Sequence, residues 1–500
     1  MTVINRSMFP MQSGFSSIKS MQARLDQLQV QLGTGKKFQT LADYGNQRPL
    51  SLQVRERLSR IEGYTQNSGT VNLRLDMLDT VMTRLEKVET DTRGSAIVGG
   101  YGADNLNLAN VPQMSKSRLD ELVTLLNSQL AGRYLFGGSA ADKPPVANID
   151  ALLNGETGKA GFKQVVTERK LADAGSDGLG RLDLTRIGVT VTLAEDGVHP
   201  FGFKLSTLST TSAGIALAQP SGSPPSATLN VGGTVTAGET IEVGLTLPDG
   251  SSTSVKLTAV TGTPAAAGEF QIGVDAFATS ANIEAALNTS LLALGETELD
   301  ASSTFAAAQN FFNGQGETVQ RVNGPPYETA TSLVAATSSN TVFWYRGSDS
   351  ASPRDSVTAK VDDSTIVSYG IEANETGFVN LMRSLAAMSV ETFSGSDTTS
   401  HKRFDAVSRM QNDRLSEGHN SEPGSIELVT LELGQARSAI GSAKDRHTAY
   451  KTQLETMLAD VEQVGVEEVA MELLAVKTRL EASYSTTSAM SQLSLVYFLR

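Results

Sequence analysis

Apolar residues recur in alternating steps of three and four at both ends of the chain. Toward the C-terminus the series runs Val466, Val469, Leu473, Val476, Leu480, Ser483, Thr487, Met490, Ser494 and Tyr497, a 3.5-residue period that suits a helix laid against another helix. Its first half is aliphatic, and hydroxyls dilute its second half. Leu493, Leu495, Val496, Phe498 and Leu499 then crowd several faces of the last turns, which implies burial by something outside the helix's own domain. Near the N-terminus Ile18, Met21, Leu25, Leu28 and Leu32 keep the same spacing, with Ala23, Gln27 and Gln31 on the flanks. Two seams of one type at opposite ends predict that the terminal helices pack together. The competing reading is a C-terminal helix folded back onto its own domain.

Between Met11 and about Arg133 the pattern stays helical. The first helix runs to about Leu32, where Gly33 and Gly35 stop it. After Pro49 a second seam passes through Val54, Leu58, Ile61, Val71, Leu75, Leu78, Met82 and Leu85, enough for one long helix or two. A loop with Gly99, Gly100 and Gly102 precedes a helix from about Pro112, whose Leu119, Leu122, Leu126 and Leu130 lead into Tyr134-Leu135-Phe136-Gly137-Gly138.

Eleven of the fifteen prolines then fall between Pro144 and Pro353, and period-two alternation replaces the helical period. Ile241, Val243, Leu245 and Leu247 share one strand face, Pro248-Asp249-Gly250 turns the chain, and Val255 and Leu257 lie on the return strand. Residues 280–294 read as one short helix ended by Gly295. A further β segment is expected from Val342-Phe343-Trp344-Tyr345 through Val357 and Val361 to Gly370. Helix returns over 375–389, over 402–415, and from Ser425 to the end, softened near Gly441 and Gly465.

The expected fold class is therefore mainly α terminal regions, forming a long coiled-coil-like bundle with the N- and C-terminal helices paired, and an inserted β-rich α+β middle. The domains divide as terminal assembly helices (1–45 and 460–500), a helical rod (46–143 and 400–459) and an inserted outer region (144–399). The expected assembly surface comprises Ile18, Met21, Leu25, Leu28, Leu32, Val469, Leu473, Val476, Leu480, Met490, Leu493, Leu495 and Leu499.

A chain of 500 residues exceeds one ordinary core. Its net charge of -13, with no local excess of Lys and Arg, argues against nucleic acid as a partner. With no cysteine, disulfides and thiolate metal sites are excluded. No apolar run has the length of a membrane span, and residues 1–21 lack the apolar core of a cleaved signal. Export, if it occurs, then needs another route.

Candidate chemistry is sparse. His199, His401, His419 and His447 include no helical i, i+4 pair, so a histidine metal site is not expected and each reads as a polar surface residue. The pairs Gly35-Lys36 and Gly158-Lys159 lack the rest of a phosphate loop and read as turns. Asp362-Asp363 reads as a hairpin turn rather than a calcium loop, and Trp344 and Tyr345 as core rather than a sugar platform. No catalytic role, cofactor or metal is expected.

The termini resemble those of the bacterial flagellin family. The N-terminal likeness covers about residues 1–140, through the Leu-seamed first helix, Leu32-Gly33-Thr34-Gly35-Lys36-Lys37 and Asp43. The C-terminal likeness covers about 425–500, through Arg437, Ile440-Gly441, Leu480-Glu481-Ala482-Ser483-Tyr484 and Leu493-Ser494-Leu495-Val496-Tyr497-Phe498-Leu499. Tyr44 departs from the family, which commonly has a second acidic residue there. Glu89-Thr90-Asp91 departs from the basic and apolar pattern of flagellins recognised by innate immune receptors. Within the family, Tyr134-Leu135-Phe136-Gly137-Gly138, Tyr345-Arg346-Gly347-Ser348-Asp349 and the Leu-Ser-Leu ending are more similar to the hook-associated members that join hook to filament than to bulk filament subunits.

That resemblance implies a secreted, non-enzymatic structural subunit of the extracellular flagellum, whose terminal helices line a tube and whose middle projects outward. It implies as partners further copies of the chain, other axial proteins of the flagellum, an export chaperone and the flagellar type III secretion apparatus, with no nucleic acid and no membrane span. Two other readings stay open. The chain is a filament flagellin, or it is a surface adhesin whose β-rich middle binds a ligand.

Overall fold

The computed structural model describes residues 9–40, 42–101, 107–264, 266–313, 318–394 and 397–498, with side chains of the terminal helices from Ser13 and through Met490 and Gln492. Helices α1 (Phe9–Thr34), α2 (Arg48–Ser95) and α3 (Val111–Leu126) come first. A short hairpin of β1 (Gln129–Leu130) and β2 (Arg133–Tyr134) leads to α4 (Ile149–Asn154) and α5 (Phe162–Ala174). Strands β3 (Leu182–Ile187), β4 (Thr190–Glu195), β5 (Lys204–Thr210), β6 (Ile215–Ser221), β7 (Ser226–Val231), β8 (Thr240–Thr246), β9 (Ser252–Val260) and β10 (Glu269–Gln271) follow. Next come α6 (Ala276–Leu294), α7 (Asp300–Phe311), β11 (Gln320–Val322), β12 (Leu333–Ala335), β13 (Thr358–Lys360) and β14 (Ile366–Ser368). Helices α8 (Thr376–Val390), α9 (Thr398–Arg414), α10 (Ile426–Glu462) and α11 (Val466–Phe498) close the order.

Helix takes about 53% of the chain, and with several small sheets the class is mixed α and β. The chain divides into two compact units, residues 1–70, 360–366 and 438–500 in the first, 71–359 and 367–437 in the second.

In the first unit, α1 stops where Gly35 takes the left-handed conformation at φ 68°, a geometry that glycine adopts without a Cβ penalty. Helix α2 begins at Arg48-Pro49, where proline's fixed φ suits a first turn, and it runs as one helix of 48 residues. Val54, Ile61 and Leu454 form a buried cluster with Leu58 and Leu458 packed on it, so the seam read from sequence faces α10. The turn 360–366 carries Asp362-Asp363, and Tyr64 donates to Asp363 at 2.7 Å.

The second unit holds two four-stranded sheets, ordered β3-β4-β7-β6 and β10-β9-β8-β5. The hairpin β8–β9 pairs Ile241 with Leu257 and Val243 with Val255, which puts its alternating apolar positions on a buried face. Gln219 on β6 joins the sheets: its amide donates to the Leu208 carbonyl at 2.5 Å and accepts from the Leu208 N–H at 3.1 Å. One side chain thus satisfies both backbone groups of an edge residue. Helix α7 is buried on nearly every face, from Ala301 through Ala308 and at Phe305 and Phe311, and Phe311, Phe312, Phe162 and Trp344 pack ring against ring beside it.

Several sequence expectations are corrected in this unit. Leu130 ends in a two-residue strand rather than in α3. The segment Val342-Phe343-Trp344-Tyr345 is not a strand. It makes one isolated bridge, Tyr345 with Val146, and Thr341 just before it bridges Ala160; Val342 and Trp344 are buried, and packing overrides β propensity. Gly295 does not end its helix. It is helical and starts one π-helical turn, Gly295–Leu299, that runs on into α7; a Cβ there would lie 2.9 Å from the Gly178 carbonyl oxygen, so close packing accounts for the glycine. The middle also holds α4, α5 and α7, which the alternation reading missed. Gly441 leaves α10 unbroken. Gly102 lies outside the described residues.

Candidate assembly surface

Those residues of the expected surface that the structure describes lie on α1 and α11. Met21, Leu25 and Leu28 of α1 pack in one cluster with Val464 before α11 and with Val469, Leu473 and Val476 on it. Leu28 is fully buried there. The helices run antiparallel, as shown by a bidentate pair between Arg24 and Glu472 at 2.8 and 3.0 Å and by Gln22 donating to the Tyr484 hydroxyl. The Arg24–Glu472 pair is half exposed and contributes about 0–1 kcal/mol, so apolar burial dominates the contact.

Not every expected position is inside. Ile18 is buried and Leu480 is half-buried. Leu32 is 37% exposed, because Gln31 turns in instead and donates from its amide to the Lys37 carbonyl at 2.8 Å. The seam therefore ends one turn earlier than its spacing predicts. Met490 is 47% exposed. The side chains of Leu493 and Leu495, and all of Leu499, lie outside the described residues.

Where α1 gives way to α2, and α10 to α11, the two breaks are tied together. The Lys37 N–H donates to the Glu462 carbonyl at 2.7 Å, the Val464 N–H donates to the Gly35 carbonyl at 3.1 Å, and Lys36 bridges Gln463. Lys37 Nζ reaches the Asp460 carbonyl at 3.0 Å. Under this backbone tie the buried Glu462 carboxylate accepts from Arg55 Nε at 2.8 Å and from the Ser51 hydroxyl at 2.6 Å. The Arg55 hydrogen bond holds the Glu462 carboxyl below its usual range, and burial opposes it. Ser51, Arg55 and Glu462 do not stand out in the sequence pattern. Their one signal was an apolar period interrupted by a carboxylate just before Gly465.

Large apolar side chains remain outside in this unit: Phe15, Val30, Leu50, Leu52, Val466, Met471 and Leu474 are all exposed. Met471 and Leu474 lie on the side of α11 away from Val469 and Val476, with Thr478, Ala482 and Ser485 continuing an uncharged stripe.

Elsewhere charged side chains pair with one another. A cleft of about 550 Å³ is lined by residues of the second unit that include Asp249, Glu298, Arg409, Arg414, His419 and Glu422. Arg414 pairs with Asp249 at 2.8 Å, Arg409 with Glu298, and His419 with Glu422 at 2.7 Å. Among the described residues no group of three or more His, Asp or Glu is arranged to hold a metal ion, and no helix is long and apolar enough to cross a membrane. Two histidines expected at the surface are buried. His199 contacts Asp196 at 2.5 Å, and His447 donates from Nε2 to the Val361 carbonyl at 2.8 Å. Trp344 is buried and donates to the Asn313 carbonyl at 3.3 Å. No protein-family model and no curated protein matches this chain.

Proposed function

We propose that this chain is a structural, self-assembling subunit of the bacterial flagellum, without enzymatic activity, which acts at the junction between hook and filament. The observation that carries the reading is the apolar contact of the two chain ends, with Leu28 meeting Val469 and Val476. A paired-terminus element of this kind supports the coiled-coil-like column that the resemblance to flagellins implies. The exposed Met471, Leu474 and Phe15 supply apolar surface that further copies would bury.

On this reading the terminal helices belong to the assembled axial structure, and residues 144–399 stand outside it. The partners are further copies of the chain, neighbouring axial proteins, an export chaperone and the flagellar secretion apparatus. The motif likeness around Tyr134–Gly138 and at the C-terminus favours the junction over the filament.

Seeded polymerisation tests the reading. Purified chain mixed with fragments of flagellar axial structure should add to their ends, as seen by electron microscopy and sedimentation. Leu473→Asp should abolish addition while the second unit stays folded by circular dichroism. Addition by the variant at the wild-type level would overturn the proposal.

A further inference from the structure

Three consecutive aromatic side chains, Phe343, Trp344 and Tyr345, line one cavity of about 260 Å³ in the second unit, together with Asn313, Asp349 and Asn374. Trp344 is buried, while Phe343 and Tyr345 are only half-buried. The wall that carries Asp349 is clamped. Tyr345 donates from its hydroxyl to the Ser348 carbonyl at 2.6 Å, and a Cβ at Gly347 would lie 2.3 Å from that hydroxyl oxygen. The Ser348 hydroxyl donates to the buried Glu372 carboxylate at 2.7 Å and accepts from the Ser139 N–H at 3.1 Å, and the Ser348 N–H donates to the Gly137 carbonyl at 3.1 Å. The sequence motifs Tyr134–Gly138 and Tyr345–Asp349 thus meet at this wall.

Asn374, buried just before α8, donates from Nδ2 to Asp349 at 2.9 Å, and that bond fixes which way its amide points. Its Oδ1 then has no hydrogen-bond partner. A buried acceptor left so is costly, and a hydroxyl of a bound molecule would satisfy it.

We propose that this cavity binds a single neutral sugar residue, stacked on the half-buried aromatic rings with its hydroxyls shared between Asn374 and Asp349. The volume lies below the ~300–1,000 Å³ of pockets for drug-sized ligands, which limits the occupant to one ring. An aromatic wall takes the apolar face of a pyranose, and the acceptors at its edge take the hydroxyls. Burial first, and then the charges of Glu372, Asp349 and Glu375, push the Tyr345 hydroxyl up, so the cavity lies in a negative field, which Arg354 offsets in part at Glu375. An anionic sugar is therefore disfavoured. None of these groups belongs to the terminal helices, so the site is independent of the assembly reading.

Trp344 is the chain's single tryptophan, so its fluorescence reads this cavity. The full chain, titrated with methyl glycosides of glucose, galactose and N-acetylglucosamine, should show a saturable change with at least one of them, at one site per chain by calorimetry and with Kd about millimolar, as suits a ligand of about a dozen heavy atoms. Glucuronate should bind at least about tenfold more weakly than that sugar. Phe343→Ala and Asn374→Ala, each checked for folding by circular dichroism, should weaken binding by about tenfold or more. If Asn374→Ala unfolds, Phe343→Ala, at a half-buried position, decides alone. No saturable change with any of the three glycosides up to about 100 mM, undiminished binding in folded variants, equal binding of glucuronate, or saturation by choline in place of the sugars would each overturn the proposal.

Discussion

Arg55 on α2 donates from Nε to the carboxylate of Glu462, the last residue of α10, at 2.8 Å. This pair sits where both long helices end, beneath the backbone tie between Lys37 and Glu462, so it fixes two chain breaks at once. Glu462 is almost fully buried while Arg55 is half exposed. Water screens the Arg55 side of the pair, but the bond from Ser51 is buried and keeps full value.

Glu462→Gln should therefore destabilise the first unit by about 1 kcal/mol at neutral pH. The pH dependence has a definite sign. The Glu462 carboxyl lies below its ordinary 4.5, so its contribution is present above that value and fades as pH falls through the lower folded value. Acid unfolding followed by circular dichroism should show the wild type losing its advantage over the variant as pH falls below the ordinary carboxyl value of 4.5.

Leu28 and Leu32 belong to one sequence seam but to different environments. Leu28→Ala should cost about 2–4 kcal/mol because it leaves a cavity between α1 and α11. Leu32→Ala, at a position 37% exposed, should stay within about 0.5 kcal/mol. Denaturant melts of the two variants, with proteolysis of α1 as a second readout, compare them directly.

In the second unit the buried carboxylate of Asp249 accepts from Arg414, Ser251 and Ser302 at 2.8, 2.6 and 2.7 Å. Burial pushes its carboxyl up, but these three bonds outweigh it and hold the group below its usual range. Arg414→Ala removes the counter-charge and the ring contact with Phe305 at 4.3 Å. A loss of about 3–5 kcal/mol is expected in thermal or denaturant unfolding of this unit.

Gly180 adopts φ 69° with Phe203 so close that a Cβ would lie 2.3 Å from its ring. Gly180→Ala must both strain the backbone and displace a fully buried phenylalanine. It should lower stability by more than about 2 kcal/mol, whereas Gly188→Ala, also at positive φ but with nothing near, should cost about 1 kcal/mol. Paired melting curves of the two variants decide this.

The long seams were legible because one residue in every three or four decides which face of a helix is wet. Leu75, Leu78, Met82 and Leu85 are all buried as their spacing predicts. The hairpin β8–β9 was legible from alternation and its Pro-Asp-Gly turn. Helix α7 was not, since Ala, Ser and Thr carry no amphipathic contrast when every face is buried. Between α1 and α11 the apolar contacts were readable, but the tie at Lys37 and Glu462 was not, since backbone hydrogen bonds between distant breaks leave no periodic trace.

Where the protein sits on the cell tests the central claim most directly. Immunogold labelling of intact flagella with antibody to residues 144–399 should give a single spot at the hook end of each filament. Label along the whole fibre would make the chain a filament subunit and contradict the junction assignment, and label on the cell surface away from flagella would contradict the flagellar reading itself.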